Sequence, residues 1–177
     1  VQDNAEACVR RVISVLKDRA FELELDNGEF IRVAVRVNHD NGTAEIDFTG
    51  TADKNPFNYN APLAVCYAVV LYAFRSLVGA PIPLNEGCFR PLTTIAPEGS
   101  MINATNPAAV IAGNTEVSQL MCNALLGALG AVAGSQGTMN NFVWGNADIQ
   151  NYETICGGTG AGPDFNGASA VQSHMTN

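Results

Sequence analysis

The sequence predicts an α+β fold: an antiparallel β-meander with buried apolar helices and further short strands. Three observations predict it. From Phe21 to Phe48 apolar residues recur at every second position, interrupted by two Asp-Asn-Gly turns. The residues before this stretch repeat with helical spacing instead. Two long apolar runs, each preceded by polar residues suited to a helix start, follow it.

The elements follow in chain order. Over residues 3–17, Ala5, Cys8, Val9, Val12, Ile13 and Leu16 fall on one stripe, so this segment is a helix with one buried face, and Asp3 or Asn4 is positioned to cap it. Phe21, Leu23 and Leu25 then alternate with charged residues up to the turn Asp26-Asn27-Gly28. Ile31, Val33, Val35 and Val37 alternate up to Asp40-Asn41-Gly42, and Ala44, Ile46 and Phe48 close the set. Three such strands joined by short DNG turns make a meander with one wet face. Residues 50–62 are a polar loop in which Asn60 is expected to cap a helix with Pro62 in its first turn. Residues 61–74 are apolar except for Pro62, too short a run to cross a bilayer, and predict a helix buried on all sides. Short strands are expected at residues 92–96 and 101–103. A second apolar helix is expected over residues 116–133, capped by Asn114 or Thr115, with Gly127 and Gly130 inside it marking close approach of another backbone. Strands at residues 142–144 and 152–156 lead into the closing glycine-rich segment.

Composition restricts the function. The chain has 177 residues, and only 15% of them are charged, against roughly 25% in average globular chains. A surface so poor in charge suggests either that part of it is covered by a larger body or that the domain is a soluble one rich in Asn, Thr and Ser. The net charge of −8 argues against nucleic acid, whose phosphates need clustered Lys and Arg. Five cysteines, Cys8, Cys66, Cys88, Cys122 and Cys156, show no CxxC spacing and read as small hydrophobes of a reduced cytoplasmic protein. Val1 at the start and the polar end at Asn177 are what a fragment of a longer polypeptide would show.

Chemistry concentrates near the end of the chain. Gly157, Gly158, Gly160, Gly162 and Gly167 lie close together, yet no lysine follows Lys54, so the run is no P-loop, and Pro163 prevents a dinucleotide-type helix start. Two uses remain for it: a cradle of main-chain N–H groups for an anion or oxyanion, or glycines that permit unusual backbone angles. His174 follows, and Glu153, Gln136, Ser135, Thr138, Asn140 and Asn141 lie in adjoining predicted loops and strands. A carboxylate, an imidazole and several amides beside a glycine turn can position a small polar substrate. Glu116, at a predicted helix start, can join them. His39, in a hairpin turn, reads as surface. The two histidines stand far apart in sequence without HxH or HxxxH, so no metal site is complete, and GxSxG is absent.

An ordered series of motifs adds a resemblance: "DFTGTA" (47–52), "YAFRSLV" (72–78), "PLNEGCFRPL" (83–92), "PEGSMIN" (97–103), "AAVIAGNTEVSQ" (108–119), "SQGTMNN" (135–141), "YETICGGTGAG" (152–162) and "GASAVQSHMTN" (167–177). Together they resemble the hydantoinase B/5-oxoprolinase family, which includes N-methylhydantoinase B subunits and acetone and acetophenone carboxylase large subunits. The resemblance implies an ATP-dependent hydrolase of cyclic amide C–N bonds. In it a hydantoinase A-like subunit or fused domain binds ATP and activates the ring carbonyl, and the B component lets water open the ring. It implies no cofactor in this segment, ATP and a divalent metal in the complete enzyme, a small cyclic amide as substrate, and an oligomeric assembly. The family's His/Asp cluster of metal type lies ahead of the matching stretch, so these residues correspond to a piece of the C-terminal half, a single or partial domain expected to be inactive alone. By analogy Glu153 and His174 are the catalytic acid and base. Gln136, Asn140, Asn141, Glu116 and the amides of Gly157, Gly158 and Gly160 bind substrate or a developing oxyanion. A ketone carboxylase, or a scaffold segment contacting the A subunit, is the alternative.

Overall fold

The computed structural model describes residues 1–172. The expected meander is present: β1 (Arg19–Glu24), β2 (Phe30–Asn38) and β3 (Thr43–Asp47) pair antiparallel through both DNG turns. A fourth strand, β4 (Leu92–Ile95), adds parallel to β3, with Ala44 opposite Leu92 and Asp47 opposite Ile95. A parallel partner needs a long crossover, and residues 48–91 supply it with a helix inside.

That helix is α2 (Leu63–Leu77). It packs on α3 (Ser118–Leu129), α3 packs on β1 and β2, and α1 (Gln2–Ile13) packs against α2 and β3. The core therefore lies between the sheet and the three helices, with Ile31, Val33, Ile46, Phe48, Phe74, Met121 and Leu125 at its centre. Across the sheet the alternation puts charge outward: Arg32 pairs with Glu22, and Arg36 with Glu45 and Asp47. Among the described residues no helix is long and apolar enough to cross a membrane.

Several local expectations are corrected. α1 ends at Ile13, and neither Asp3 nor Asn4 caps it; Asp3 instead pairs with Arg90, and Glu6 with Arg10 and then Arg90, and hydrogen bonds from these guanidiniums hold both carboxyls below their usual range. Asn60 does not cap α2. Its buried side chain accepts from Asn55 N–H and donates to the carbonyls of Asn55, Phe57 and Ala109, so it ties a loop together. Nor is α2 buried on all sides: Cys66, Val69, Val70, Ala73 and Phe74 face the core, while Ala64, Tyr67 and Ala68 are exposed. Residues 101–103 form a turn rather than a strand.

The second apolar helix is shorter than residues 116–133 and begins differently. A π-helical turn, Gly113–Val117, leads into α3, and no Asn114 or Thr115 side-chain cap forms. Gly130 is not inside the helix but ends it, in the left-handed conformation at φ 65°. Gly127 is inside, and what approaches it is the ring of Phe21 from β1 rather than another backbone. Beyond α3, β5 (Asn141–Gly145) and β6 (Gln150–Thr154) form a hairpin, and β7 (Gly158–Thr159) pairs with β8 (Ala168–Ser169).

Candidate active site

Two adjoining clefts meet at residues 135 and 136, the first of them flanked by Leu120 and Asn123 of α3. One, of about 520 Å³, is bordered by the β1–β2 turn (Leu25, Asp26, Asn27), Tyr59, Glu116, Asn123 and residues 135–138. The other, of about 470 Å³, is bordered by residues 134–136, 157–159 and 167–169. Ser135 and Gln136 border both, so this short loop is the wall between them.

The wall is held from α3. Asn123 accepts from the Ser135 N–H (3.1 Å) and hydroxyl (3.2 Å) and donates to its carbonyl (3.4 Å). The next residues are tied to the π-helical turn: Met139 N–H donates to the Thr115 carbonyl (2.9 Å), and the Thr138 hydroxyl donates to Glu116 Oε1 (2.9 Å). π-helical turns concentrate at functional sites because the extra residue re-aims side chains. Burial pushes the Glu116 carboxyl above its ordinary range, against the Thr138 hydrogen bond, which favours the ionised form.

Asn140 follows in the left-handed conformation, φ 57°. Its N–H donates to the Thr138 hydroxyl oxygen (3.1 Å), and its carbonyl accepts from Ile155 N–H (3.0 Å). Its side-chain amide and that of Gln136 both reach Gly157, where a Cβ would overlap Asn140 Nδ2 and Gln136 Oε1. Gly158 adopts a positive φ of 153°, whereas Gly157, Gly160, Gly162 and Gly167 do not and instead have other groups close to where a Cβ would stand. At Gly160 the intruder would be the main-chain carbonyl of Ala133.

The structure thus places Glu116 in the first cleft and Gly157 and Gly158 in the second, with Gln136 bordering both; Asn140 borders neither, but its side-chain amide reaches Gly157 and its N–H is linked to Glu116 through Thr138. Asn141 is engaged inside the hairpin, its Oδ1 accepting from Tyr152 OH (3.1 Å) and Thr154 Oγ1 (3.2 Å). Glu153 is exposed on β6 opposite Phe142 and borders neither cleft. His174 lies outside the described residues. His39 is exposed, as expected. Cys8, Cys66, Cys88 and Cys122 are buried and Cys156 is exposed; all are free thiols.

Three contributors were not foreseen: Asn123, an amide within an apolar helix, which that pattern could have singled out, and Tyr59 and the β1–β2 turn, which carry no such signal. Gln119 is 1% exposed and among the described residues its Nε2 has no hydrogen-bond partner, a costly arrangement that an ordinary core would avoid. Among the described residues no three His, Cys, Asp or Glu side chains gather as a metal site.

The chain matches the hydantoinase B/oxoprolinase family model over residues 1–177. It is 39% identical over 186 residues to a 5-oxoprolinase of Dictyostelium discoideum and 41% identical over 193 residues to 5-oxoprolinase 1 of Arabidopsis thaliana. Each match covers 100% of this chain, which spans only 15% of the relative. The fold is similar to that of an ATP-dependent caprolactamase from Pseudomonas jessenii, with a TM-score of 0.76 at 20% identity, covering 97% of this chain and 33% of that one. On the family match along its whole length, this chain belongs to the hydantoinase B/oxoprolinase family.

Proposed function

We propose that this chain is the part of an ATP-dependent cyclic-amide hydrolase that holds the ring amide while water opens it. The carrying observation is the meeting of the Gln136 and Asn140 carboxamides at bare Gly157, beside a cleft containing a half-buried carboxyl. Carboxamides suit an amide substrate because each offers both a donor and an acceptor to a group that has both. Once the A component has transferred the ATP γ-phosphoryl to the ring oxygen, water adding to that carbon places negative charge on the oxygens of the tetrahedral intermediate, and the phosphoryl leaves as phosphate when the product carboxylate forms. The Asn140 amide and the main chain of Gly157, Gly158 and Gly160 are the proposed stabilisers of that charge. As the C–N bond breaks, the departing nitrogen needs a proton. Glu116, with its raised proton affinity, is the proposed donor inside the cleft. Glu153 and His174 remain a proposed acid–base pair; the exposed position of Glu153 makes it the weaker acid candidate of the two carboxyls.

The residues present do not fit ATP. No Lys or Arg follows Arg90 in the sequence, and none borders either cleft. Arg90 is engaged with Asp3, Glu6 and Gln2, Arg75 with the Ile82 carbonyl, and Lys54 with the Thr105 and Pro107 carbonyls. A triphosphate needs cations or a nest of free amides at a helix start. ATP handling is therefore assigned to a hydantoinase A-like component, fused or separate, within an oligomeric cytoplasmic enzyme.

The test uses the complete polypeptide with its A component. Ring opening of 5-oxoproline to glutamate, or of caprolactam or a hydantoin, should proceed with matched ADP release and fall on Gln136→Ala and Asn140→Ala. Bicarbonate-dependent ketone consumption without ring opening would replace this reading with the carboxylase one. A second reading, a scaffold segment, draws on the exposed apolar face of α2 and on Val143, Trp144 and Tyr152 of the β5–β6 hairpin. A ligand-bound structure with every ligand atom remote from Gln136, Asn140 and Gly157 would favour it.

A further inference from the structure

We propose that Thr138 is a positioning residue: its hydroxyl transmits the placement of Glu116 to Asn140 and thereby sets the carboxamide that faces Gly157. One oxygen makes both links. It donates to Glu116 Oε1 at 2.9 Å and accepts from the Asn140 N–H at 3.1 Å, so neither neighbour can move without changing the other's hydrogen bond.

The need for such a device comes from the Asn140 backbone. A non-glycine residue in the left-handed region costs of order 1 kcal/mol and persists only where its surroundings over-determine it. Asn140 meets that condition through two main-chain anchors, Thr138 on its N–H and Ile155 N–H on its carbonyl. Ile155 belongs to the segment that runs directly into Gly157, so the second anchor moves with the cradle. The first ties Asn140 to the body of the fold through Glu116 on the π-helical turn, in parallel with the Met139 N–H to Thr115 carbonyl bond. Without the hydroxyl, Asn140 loses the bond that favours its left-handed state. It can then relax toward an ordinary conformation that swings its amide away from Gly157. Serine preserves the hydroxyl; valine keeps the shape and removes it.

This inference rests on the proposed cradle, and its test separates the two. In the complete enzyme, Thr138→Val should accelerate amide hydrogen exchange at Asn140 by about tenfold, with peptides from the core sheet unchanged. It should also lower kcat/KM for ring opening by about tenfold, and Thr138→Ser should restore both. If the valine variant does not fold, Glu116→Ala, which removes the other end of the link, must show the same local acceleration. Unchanged exchange at Asn140 in a folded Thr138→Val or Glu116→Ala protein overturns the proposal whatever the activity. Accelerated exchange with full activity keeps the link and removes the cradle from the reaction.

Discussion

Adding one methyl group at two glycines three residues apart should have opposite consequences. At Gly157 the backbone tolerates alanine, because its φ is not in the left-handed region, and the atoms nearest the added Cβ are the ends of two side chains, Gln136 and Asn140. Both can swing aside at small cost, so the fold should barely notice. The cradle should notice: two neutral hydrogen-bonding groups displaced from a substrate, each worth about 0.5–1.5 kcal/mol, amount to about 1–3 kcal/mol. That is about a 5- to 150-fold loss in kcat/KM. At Gly160 the Cβ would run into the Ala133 carbonyl, which cannot rotate away without moving the main chain. The Ala133 N–H to Ala161 carbonyl bond (2.8 Å) beside it should break. Overpacking of this kind costs about 1–3 kcal/mol. Amide exchange of the complete enzyme, read by peptide, should therefore rise about 5- to 150-fold around Ala133 in Gly160→Ala, and by less than about threefold in Gly157→Ala. Full activity in Gly157→Ala, or unchanged exchange at Ala133 in Gly160→Ala, would refute the reasoning at that position.

Three further outcomes are expected. The Glu116 carboxyl titrates above its unfolded value of 4.5, so the folded state binds more protons between the two values. Stability should fall as pH rises through that window. Glu116→Gln should then be more stable than the parent near neutrality and no different well below 4.5, as read from thermal unfolding across pH; a parent whose deficit persists in acid would contradict this. Gln119→Met replaces a buried amide having an orphaned Nε2 with an apolar group of similar size, and should raise thermal stability, or at worst leave it unchanged. A drop of several degrees would mean that the amide has a partner in the complete protein. Burial pushes the Cys66 and Cys122 thiols up to about 12, so alkylation under mildly alkaline conditions should label exposed Cys156 first and leave those two until the protein unfolds. Peptide mapping of the labelled enzyme decides it.

How much was legible depended on how local the cause was. The meander could be read because strand alternation and turn chemistry each depend on a few neighbouring residues, and both DNG turns appear where they stand in the sequence. The parallel pairing of β4 with β3 could not, because nothing in LTTI names a partner more than forty residues earlier. Asn60 fits a cap by position, yet three carbonyls and an N–H converged on it from a loop and from Ala109, and that competition is invisible in one dimension. At the site, the polar residues of 135–141 and the glycines were recognisable by type. Which amide would face Gly157, and that Asn141 would be spent inside a hairpin while Glu153 faced away from both clefts, was not.

By itself the sequence determined the residue chemistry: a helix, a three-stranded meander, two apolar helices, an amide- and glycine-rich end without cations, and a family likeness carried by ordered motifs. Only the tertiary structure decided which of those groups meet. Hydrophobic period and turn type are properties of adjacent residues, whereas a cleft is made by segments such as the β1–β2 turn, the π-helical turn and residues 135–140, whose mutual distance is set by how helices pack on a sheet.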